Sequence, residues 1–184
     1  PLLQHSIHLS DDHPIFHPQF QIPAEHLAAI KDQTLAWEKA GIVRRGHSRC
    51  NNAIFAVPKP HGRGIRIVLD YRALNDATVP DRYSIPSVDE VLNKIGTSGA
   101  RWFSSIDLSS GFYHIPLRES DQHLTAYTLP GVGQFMWRRA SMGLTGSPAT
   151  FNRVIDMILN DVEQVVNYVD DILCFTKDIQ SHYS

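Results

Sequence analysis

The sequence predicts an α+β fold in which helices back an antiparallel sheet. The first indication is a helical pattern that follows Ser147 and Pro148, residue types suited to a helix N-cap and first turn. The apolar residues of this pattern recur at helical spacing: Phe151, Val154, Ile155, Ile158, Leu159 and Val162. The second indication is that apolar segments of strand length are joined by short turns rich in proline and glycine. Hydrophobic residues make up 42% of the 184 residues and charged residues 20%, which is typical of one large globular domain or two subdomains.

The first 23 residues are predicted to form an extended arm, because four prolines interrupt them and no helical period is present. Histidines are concentrated in this arm: His5, His8, His13 and His17. Their spacing suggests a zinc site. However, the prolines leave no helix to gather these side chains and no cysteine lies among them, so we expect no metal there.

The next segments predict a helix and a hairpin. Residues 24–40 carry apolar side chains near helical spacing and are followed by Gly41, which is typical of a helix end. Residues 53–57 indicate a buried strand and residues 65–70 a returning strand, with a turn at residues 60–64.

Positive charge is concentrated around this hairpin, although the whole chain has a net charge of −2. The basic residues are Arg44, Arg45, Arg49, Lys59, Arg63, Arg66 and Arg72, against the single acid Asp70. Such a block can track nucleic-acid phosphates even in a neutral protein. A solvated basic face is the alternative.

The remaining elements follow from local signals. A capping box from Ser87 to Glu90 opens a helix that is expected to end near Gly96. Residues 102–108 predict a core strand. Residues 125–129 and 134–138 predict a strand pair joined by a proline and glycine turn.

No segment predicts a membrane span or a secretory signal, since no run of eighteen apolar residues occurs and the N-terminus lacks a basic segment followed by an apolar one. Cys50 and Cys174 lie far apart and suit two unpaired thiols in a reducing compartment. We therefore expect an intracellular protein that is not secreted.

Two adjacent carboxylates, Asp170 and Asp171, lie between apolar β-formers within the tetrapeptide Tyr168-Val169-Asp170-Asp171. Buried charge is costly unless it is paired or bound to metal, and Mg²⁺ prefers carboxylate oxygens. The alternative is ordinary turn chemistry. A third acid, Asp107, ends the apolar strand at residues 102–108. Three carboxylates from two strand segments are what a two-cation site for phosphoryl transfer requires, with the ions roughly 3.5–4 Å apart.

Four blocks resemble gypsy-type LTR-retrotransposon reverse transcriptases, and they occur in the order of that family. Residues 68–75 and 78–86 resemble the fingers segment, and residues 103–113 the first catalytic motif. Residues 142–151 resemble the substrate-positioning motif, and residues 168–171 the second catalytic motif.

The resemblance implies the fingers and palm of a right-hand polymerase. On this basis residues 1–23 form the arm, residues 24–86 the fingers and residues 87–184 the palm, with some fingers strands near residues 113–140. Nothing in the sequence resembles a primer-gripping hairpin, a thumb, a connection domain or an RNase H domain.

The resemblance assigns catalysis and metal binding to Asp107, Asp170 and Asp171. Asp107 and Asp170 are the expected principal ligands, and the backbone carbonyl of Leu108 is an additional one. Phe112 matches a bulky gate that excludes a 2′-hydroxyl from the sugar site. Without the motif, Phe112 would be interpreted as an ordinary core aromatic residue.

Other contacts are implied by the same resemblance. Nucleotide binding is assigned, besides Phe112, to Lys59, Arg66, Met142 and Gly143, and template or primer binding to Tyr168, Pro148 and Arg63. Retroviral relatives have glutamine in place of Met142, so a side-chain amide contact is not available here. Gypsy-type relatives usually have proline in place of Ser141. Asp70 and Arg72, two residues apart, are expected to form a structural pair.

The function implied is RNA-directed DNA polymerase activity, in which a primer 3′-hydroxyl attacks the α-phosphate of a dNTP on an RNA or DNA template. The implied cofactor is two Mg²⁺ ions, for which Mn²⁺ can substitute, and protein partners are not specified. One alternative is a domesticated or truncated polymerase-like module that binds nucleic acid or a protein without catalysis. Another is an RNA-dependent RNA polymerase, which Phe112 as a sugar gate disfavours.

Overall fold

The computed structural model describes residues 3–11, 13–60, 64–83, 86–108, 110–168 and 171–183. The described elements in chain order are α1 (Ala24–Lys39), β1 (Val43–Arg45), β2 (Ala53–Pro58), β3 (Ile65–Asp70), α2 (Arg72–Ala77), α3 (Val88–Ser98), β4 (Trp102–Asp107), β5 (Tyr127–Leu129), β6 (Gly133–Trp137), α4 (Ser147–Leu159), β7 (Val165–Tyr168), β8 (Asp171–Thr176) and α5 (Ile179–His182). Two 3₁₀ helices, Gly111–His114 and Glu119–Thr125, lie between β4 and β5.

The chain divides into two compact units. The first unit contains Leu3–Pro80 and Phe112–Ser147, and the second contains Asp81–Gly111 and Pro148–Ser184. Each unit is therefore built from two separate stretches of chain. The assignment of fingers and palm to particular ranges remains a prediction.

The first unit contains a three-stranded antiparallel sheet in the order β1-β6-β5 and the antiparallel hairpin β2-β3. Its core is aromatic and aliphatic, with Tyr127, Phe135 and Trp137 all at most 1% exposed. Helix α1 matches the predicted range closely, and it buries Ile30 and Thr34. The chain leaves this helix through Gly41, whose φ of +70° favours glycine.

The predicted strand at residues 125–129 begins later than expected. Thr125 instead ends a 3₁₀ helix, where its hydroxyl donates to the carbonyl of Gln122 and accepts from the Trp137 amide. These side-chain bonds take the place of ladder bonds, so the strand begins at Tyr127.

The first 23 residues contain no helix or strand among those the structure describes. Three isolated bridges attach this arm to the first unit: His5 to Leu117, Leu9 to Thr78, and Phe16 to Asn51. The described part of the chain contains no group of three His, Cys, Asp or Glu side chains that could hold a metal ion.

The second unit contains a three-stranded antiparallel sheet in the order β4-β8-β7, with helices α3, α4 and α5. Helix α3 begins with both hydrogen bonds of the predicted capping box between Ser87 and Glu90. It ends at Ser98, and its C-terminal glycine is Gly99 with φ +67°, so the predicted end near Gly96 was wrong. Gly96 remains inside the helix because the left-handed turn that glycine favours comes three residues later.

Two expectations for the second unit were also wrong. Strand β4 was predicted to lie in the core, yet all six of its residues are exposed, including Phe103 at 52%. It lies at one edge of its sheet and pairs only with β8 among the described strands. Helix α4 was expected to include Val162, but it ends at Leu159, and Val162 lies beyond it at 46% exposed. No described helix is long and apolar enough to cross a membrane.

Candidate active site

The pairing of β4 with β8 brings two of the predicted acids together. Asp107, the last residue of β4, lies directly opposite Asp171, the first residue of β8. Residues directly opposite in an antiparallel pair project from the same face, with Cβ atoms roughly 4.5–5.5 Å apart. Both side chains are exposed. Two carboxylates that are 64 positions apart in sequence therefore lie side by side at one end of the sheet.

Asp171, the acid opposite Asp107, belongs to the β7–β8 hairpin. Tyr168, the last residue of β7, pairs with Asp171, so the hairpin closes across the two intervening positions. Those positions are Val169 and Asp170, and the predicted role of Asp170 falls outside the described residues. Tyr168 is 40% exposed at the tip of the hairpin.

No Lys, Arg or His among the described residues forms an ion pair with Asp107 or Asp171. Among the described residues, the ion pairs involve other acids: Asp11, Glu25, Glu38, Asp70 and Asp81. Two carboxylates opposite each other repel, which disfavours the arrangement unless a counter-ion is present. Exposed carboxylate oxygens are the donors that hard divalent cations prefer. The pair therefore suits such an ion, with any third acidic ligand coming from outside the described residues.

The carbonyl oxygen of Leu108, predicted as an additional ligand, already accepts a hydrogen bond from the amide of Gly111 at 3.0 Å. A carbonyl oxygen has two lone pairs, so one remains for a metal. Gly111 is also sterically restricted, because a Cβ there would lie 2.7 Å from the ring of Phe151. Phe151 is 4% exposed and belongs to α4, so this helix supports the turn that follows β4.

Two asparagines that the sequence did not single out connect α4 to β7. Asn152, which is fully buried, accepts a hydrogen bond from Nδ2 of Asn167 at 3.0 Å and donates to the carbonyl of Pro148 at 2.9 Å. Asn167 directly precedes Tyr168. The buried amide pair therefore fixes the strand that leads to the acidic hairpin. The only available signals were an asparagine beside the apolar residues of α4 and another within the short apolar strand β7.

Of the residues predicted to contact template or primer, Pro148 and Tyr168 lie in the second unit, where Pro148 is half-buried in the first turn of α4. Arg63 falls outside the described residues. The template and primer roles of all three remain predictions.

The first unit gathers three of the residues predicted to bind nucleotide. Arg66, Met142 and Gly143 line one cavity of about 190 Å³, together with Tyr113 and Trp137. Arg66 and Met142 are exposed, and Gly143 has φ +90°, which favours glycine. No described carboxylate pairs with Arg66, so its guanidinium is available to a ligand.

A bracket that the sequence missed holds the loop bearing Met142 and Gly143. The side chain of Asn75 donates to the carbonyl of Gly143 at 2.8 Å and accepts from the amide of Thr145 at 2.9 Å. Asn75 lies on α2, about 70 residues earlier in sequence, so no local pattern could have indicated the contact.

The other predicted nucleotide residues lie apart from that cavity lining. Lys59 is exposed after β2, and its backbone amide donates to the carbonyl of Gly64 at 2.8 Å. Phe112 is only 8% exposed, at the start of the first unit's second stretch. Its role as a sugar gate remains a prediction.

The expected structural pair is present. The Arg72 guanidinium donates to Oδ1 and Oδ2 of Asp70 at 2.8 and 2.6 Å. These hydrogen bonds and the positive charge of Arg72 lower the pKa of Asp70 to about 2. Asp70 is therefore fully ionised and satisfied at neutral pH, and it is not available to a metal or a nucleotide.

Comparison with protein families matches residues 57–184 to the family described as reverse transcriptase (RNA-dependent DNA polymerase). The retrovirus-related Pol polyprotein from transposon 297 of Drosophila melanogaster is 33% identical over 98% of this chain and 17% of its own length. The Pol polyprotein from transposon opus of the same species is 37% identical over 92% of this chain and 17% of its own length. The chain thus spans about a sixth of these polyproteins.

Solved structures show the same relationship. The prototype foamy virus protease-reverse transcriptase superposes with a TM-score of 0.86 at 30% identity, covering 98% of this chain and 24% of that chain. The foamy viral enzyme in complex with an RNA/DNA hybrid gives a TM-score of 0.80 at 28% identity, covering 96% of this chain and 25% of that chain. The predicted α+β polymerase fold is confirmed.

Proposed function

Because the chain belongs to the reverse transcriptase (RNA-dependent DNA polymerase) family, we propose that it supplies the catalytic segment of an RNA-directed DNA polymerase. The observation that carries the proposal is the register that sets Asp107 opposite Asp171. Two separate strands present their acids at one point, which is what attack of a primer 3′-hydroxyl on the α-phosphate of a dNTP requires.

Reverse transcriptases generally use divalent metal ions. Asp107 and Asp171 suit such an ion, because they are exposed oxygen donors without a cationic partner among the described residues. We propose Asp170 and the carbonyl of Leu108 as further ligands, and two Mg²⁺ ions as the metal. When bound, such ions supply charge neutralisation for the phosphate oxygens and activation of the attacking hydroxyl.

The nucleotide side of the proposal rests on the cavity that Arg66 shares with Met142 and Gly143. A guanidinium offers a planar fork of donors for phosphate oxygens. Gly143 lets a ligand approach the backbone, since it carries no Cβ. Lys59 is proposed as a second cation for the triphosphate, and Phe112 as the residue that excludes ribonucleotides.

The proposed polymer substrate is a primer annealed to an RNA or DNA template. Foamy viral relatives of similar fold have been solved with double-stranded DNA and with an RNA/DNA hybrid. The basic block of the first unit provides cations for phosphates, and Arg66 within this block is exposed. Tyr168, Pro148 and Arg63 are the proposed template or primer contacts.

The proposal is tested by primer extension on poly(rA) with oligo(dT). The chain is assayed alone and joined to the downstream polymerase segment of a relative, as wild type, Asp171→Asn or Asp107→Asn. Each substitution removes one negative charge from the proposed site and preserves shape, so extension should fall on the order of 100-fold or more. Asp161→Asn is the matched control, because Asp161 is an exposed acid of the same unit beyond α4.

The outcomes separate the proposed function from its rivals. Extension that survives both substitutions would refute the assignment of the acids. Template binding without extension by the wild-type fusion would favour a non-catalytic nucleic-acid-binding module. A preference for ribonucleotides would favour an RNA polymerase instead.

A further inference from the structure

The ring of His5 lies against Gly146 in the first unit. His5 is 2% exposed, and a Cβ built on Gly146 would lie 2.9 Å from its Cε1 atom, with Nε2 and Nδ1 at 3.7 and 3.8 Å. Cβ atoms essentially never approach another heavy atom closer than 3.0 Å. The φ of Gly146 is not in the left-handed region, so its backbone does not demand glycine. The absence of a side chain at Gly146 is therefore a requirement that His5 imposes.

The backbone of the arm holds His5 in this place. Its amide donates to the carbonyl of Pro116 at 2.8 Å, and its carbonyl accepts from the amide of Arg118 at 2.9 Å. Two residues later, the amide of Ile7 donates to Oδ2 of Asp121 at 2.9 Å. The ring consequently projects from a segment that backbone hydrogen bonds anchor to the first unit's second stretch.

Gly146 belongs to the same loop as Met142 and Gly143, which we call the 142–147 loop. Internal bonds make this loop stiff: the amide of Ser147 donates to the carbonyl of Leu144, and the buried Ser147 hydroxyl donates to the carbonyl of Ser141, both at 3.1 Å. Asn75 also holds this loop, through Gly143 and Thr145. A displacement at Gly146 is therefore transmitted to the residues that line the Arg66 cavity.

We propose that His5 is a positioning residue that sets the place of the 142–147 loop and thereby the affinity for the incoming nucleotide. The effect on nucleotide affinity rests on the proposed function, whereas the effect of His5 on the position of the 142–147 loop does not. The His5 ring fills the space that a side chain at position 146 would need. A substitution at either residue therefore changes which side chains fit at the other. The arm is thus part of the nucleotide-binding apparatus and not merely a covering of the first unit.

The test is a double-mutant cycle with His5→Ala, Gly146→Ala and the double variant. Gly146→Ala should raise the KM for dTTP about fivefold, with kcat within about twofold, because the methyl group displaces the loop. In the double variant the methyl group enters space vacated by the ring, so adding it should raise the KM no further than His5→Ala alone does. His5→Gln, which returns a planar polar group, should recover part of the loss.

Gly96→Ala is the matched control. A Cβ there meets nothing within 4 Å, so neither the KM nor the loop should respond. Should His5→Ala fail to fold, as judged by thermal unfolding, His5→Thr, which also removes the ring, takes its place in the cycle.

A second measurement, hydrogen exchange of the amides at residues 143–147, needs no polymerase activity. His5→Ala and Gly146→Ala should each accelerate exchange there and combine non-additively, while the amides at residues 131–133 stay unchanged. Additive or absent exchange effects would overturn the inference, as would an unchanged KM in an active enzyme. An inactive wild type with non-additive exchange would count against the proposed function alone.

Discussion

The hydroxyl of Tyr83 donates a hydrogen bond to Oδ2 of Asp156, which joins the segment before α3 to the C-terminal half of α4. Arg153, three residues before Asp156 on α4, adds two further contacts to the same segment. Its guanidinium lies 4.8 Å from the centre of the Tyr83 ring and donates to both carboxylate oxygens of Asp81, at 3.0 and 2.9 Å. An aromatic ring, a guanidinium and two carboxylates therefore fix the first stretch of the second unit on α4.

Replacing Tyr83 by phenylalanine should destabilise the second unit without changing its packing. The substitution removes one hydrogen bond to a charged acceptor and leaves the ring under Arg153, so the free energy of unfolding should fall by about 1–2 kcal/mol. Urea unfolding at pH 7 measures it. Tyr183→Phe is the control, because the Tyr183 side chain is 84% exposed, and it should change the free energy of unfolding by less than about 0.5 kcal/mol.

The contribution of Tyr83 to the free energy of unfolding should also decrease at high pH. The hydrogen bond to Asp156, then burial and the negative charge of Asp156, raise the pKa of Tyr83 above its ordinary value of 10.0. A raised pKa means that folding favours the protonated hydroxyl, so the stabilisation is complete below that ordinary value and is lost as the pH rises through the raised pKa. The stability difference between wild type and Tyr83→Phe should therefore be constant from neutral pH to pH 9 and shrink above pH 10. A difference that grows with pH would contradict this linkage.

Acid stability of the first unit should depend on the pair of Asp70 and Arg72. The pKa of Asp70 is lowered from 3.8 to about 2, chiefly by its hydrogen bonds with Arg72. The resulting stabilisation is present above pH 3.8 and is lost as the pH falls through about 2. Because Arg72 is itself 83% exposed, solvent screening reduces the effect, and Arg72→Gln should lower the free energy of unfolding at pH 6 only modestly.

Measurement of unfolding free energies at pH 6 and pH 2 tests the pair. The deficit of Arg72→Gln should be largest at pH 6 and diminish at pH 2, where Asp70 is half protonated. Arg82→Gln is the control, since Arg82 is exposed and forms no ion pair among the described residues. An equal deficit at both pH values would show that Arg72 acts through packing.

The sequence predicted those elements whose signals are local. The capping box of α3 and the apolar period of α4 both lie within a few residues of the structure they specify. The capping box is present as predicted, and the α4 helix forms but ends at Leu159, before Val162. Strand β4 shows the limit of such signals. Its apolar composition correctly identifies a strand. Whether that strand lies at the edge or the centre of the sheet depends on how many other strands pair with it, which is a property of the whole sheet.

The same limit applies to the candidate site. Asp107 and the acidic hairpin could be identified because each belongs to a recognisable motif. The register between β4 and β8 could not be predicted, since a shift by one residue would turn Asp107 or Asp171 to the opposite face of the sheet. Asn75 and His5 were missed as supports because their partners lie some 70 and 140 residues away along the chain. Polar residues whose partners come from distant elements carry no periodicity that a sequence pattern could detect.

Gly111 should not tolerate a side chain, because a Cβ would lie 2.7 and 2.9 Å from two ring atoms of Phe151. Gly111→Ala should lower the free energy of unfolding by about 1–3 kcal/mol through overpacking. It should also reduce primer extension, since the Gly111 amide holds the carbonyl of Leu108 next to Asp107. Adding Phe151→Leu should recover part of the stability. Chemical denaturation of the single and double variants measures both effects, and a Gly111→Ala protein of wild-type stability would contradict the contact.

The bracket formed by Asn75 makes a sharper prediction, because one atom can be exchanged at a time. Asn75→Asp keeps the acceptor for the Thr145 amide but loses the donor to the carbonyl of Gly143, and Asn75→Ala loses both. Since each lost bond frees one side of the loop, the KM for dTTP should rise about threefold in Asn75→Asp and about tenfold in Asn75→Ala. Steady-state primer extension at varied dTTP measures the series. Asp76→Ala, at the exposed neighbouring position on α2, should leave the KM unchanged. If Asn75→Asp matched Asn75→Ala, the bond to Gly143 alone would hold the loop, and the amide of Thr145 would contribute nothing.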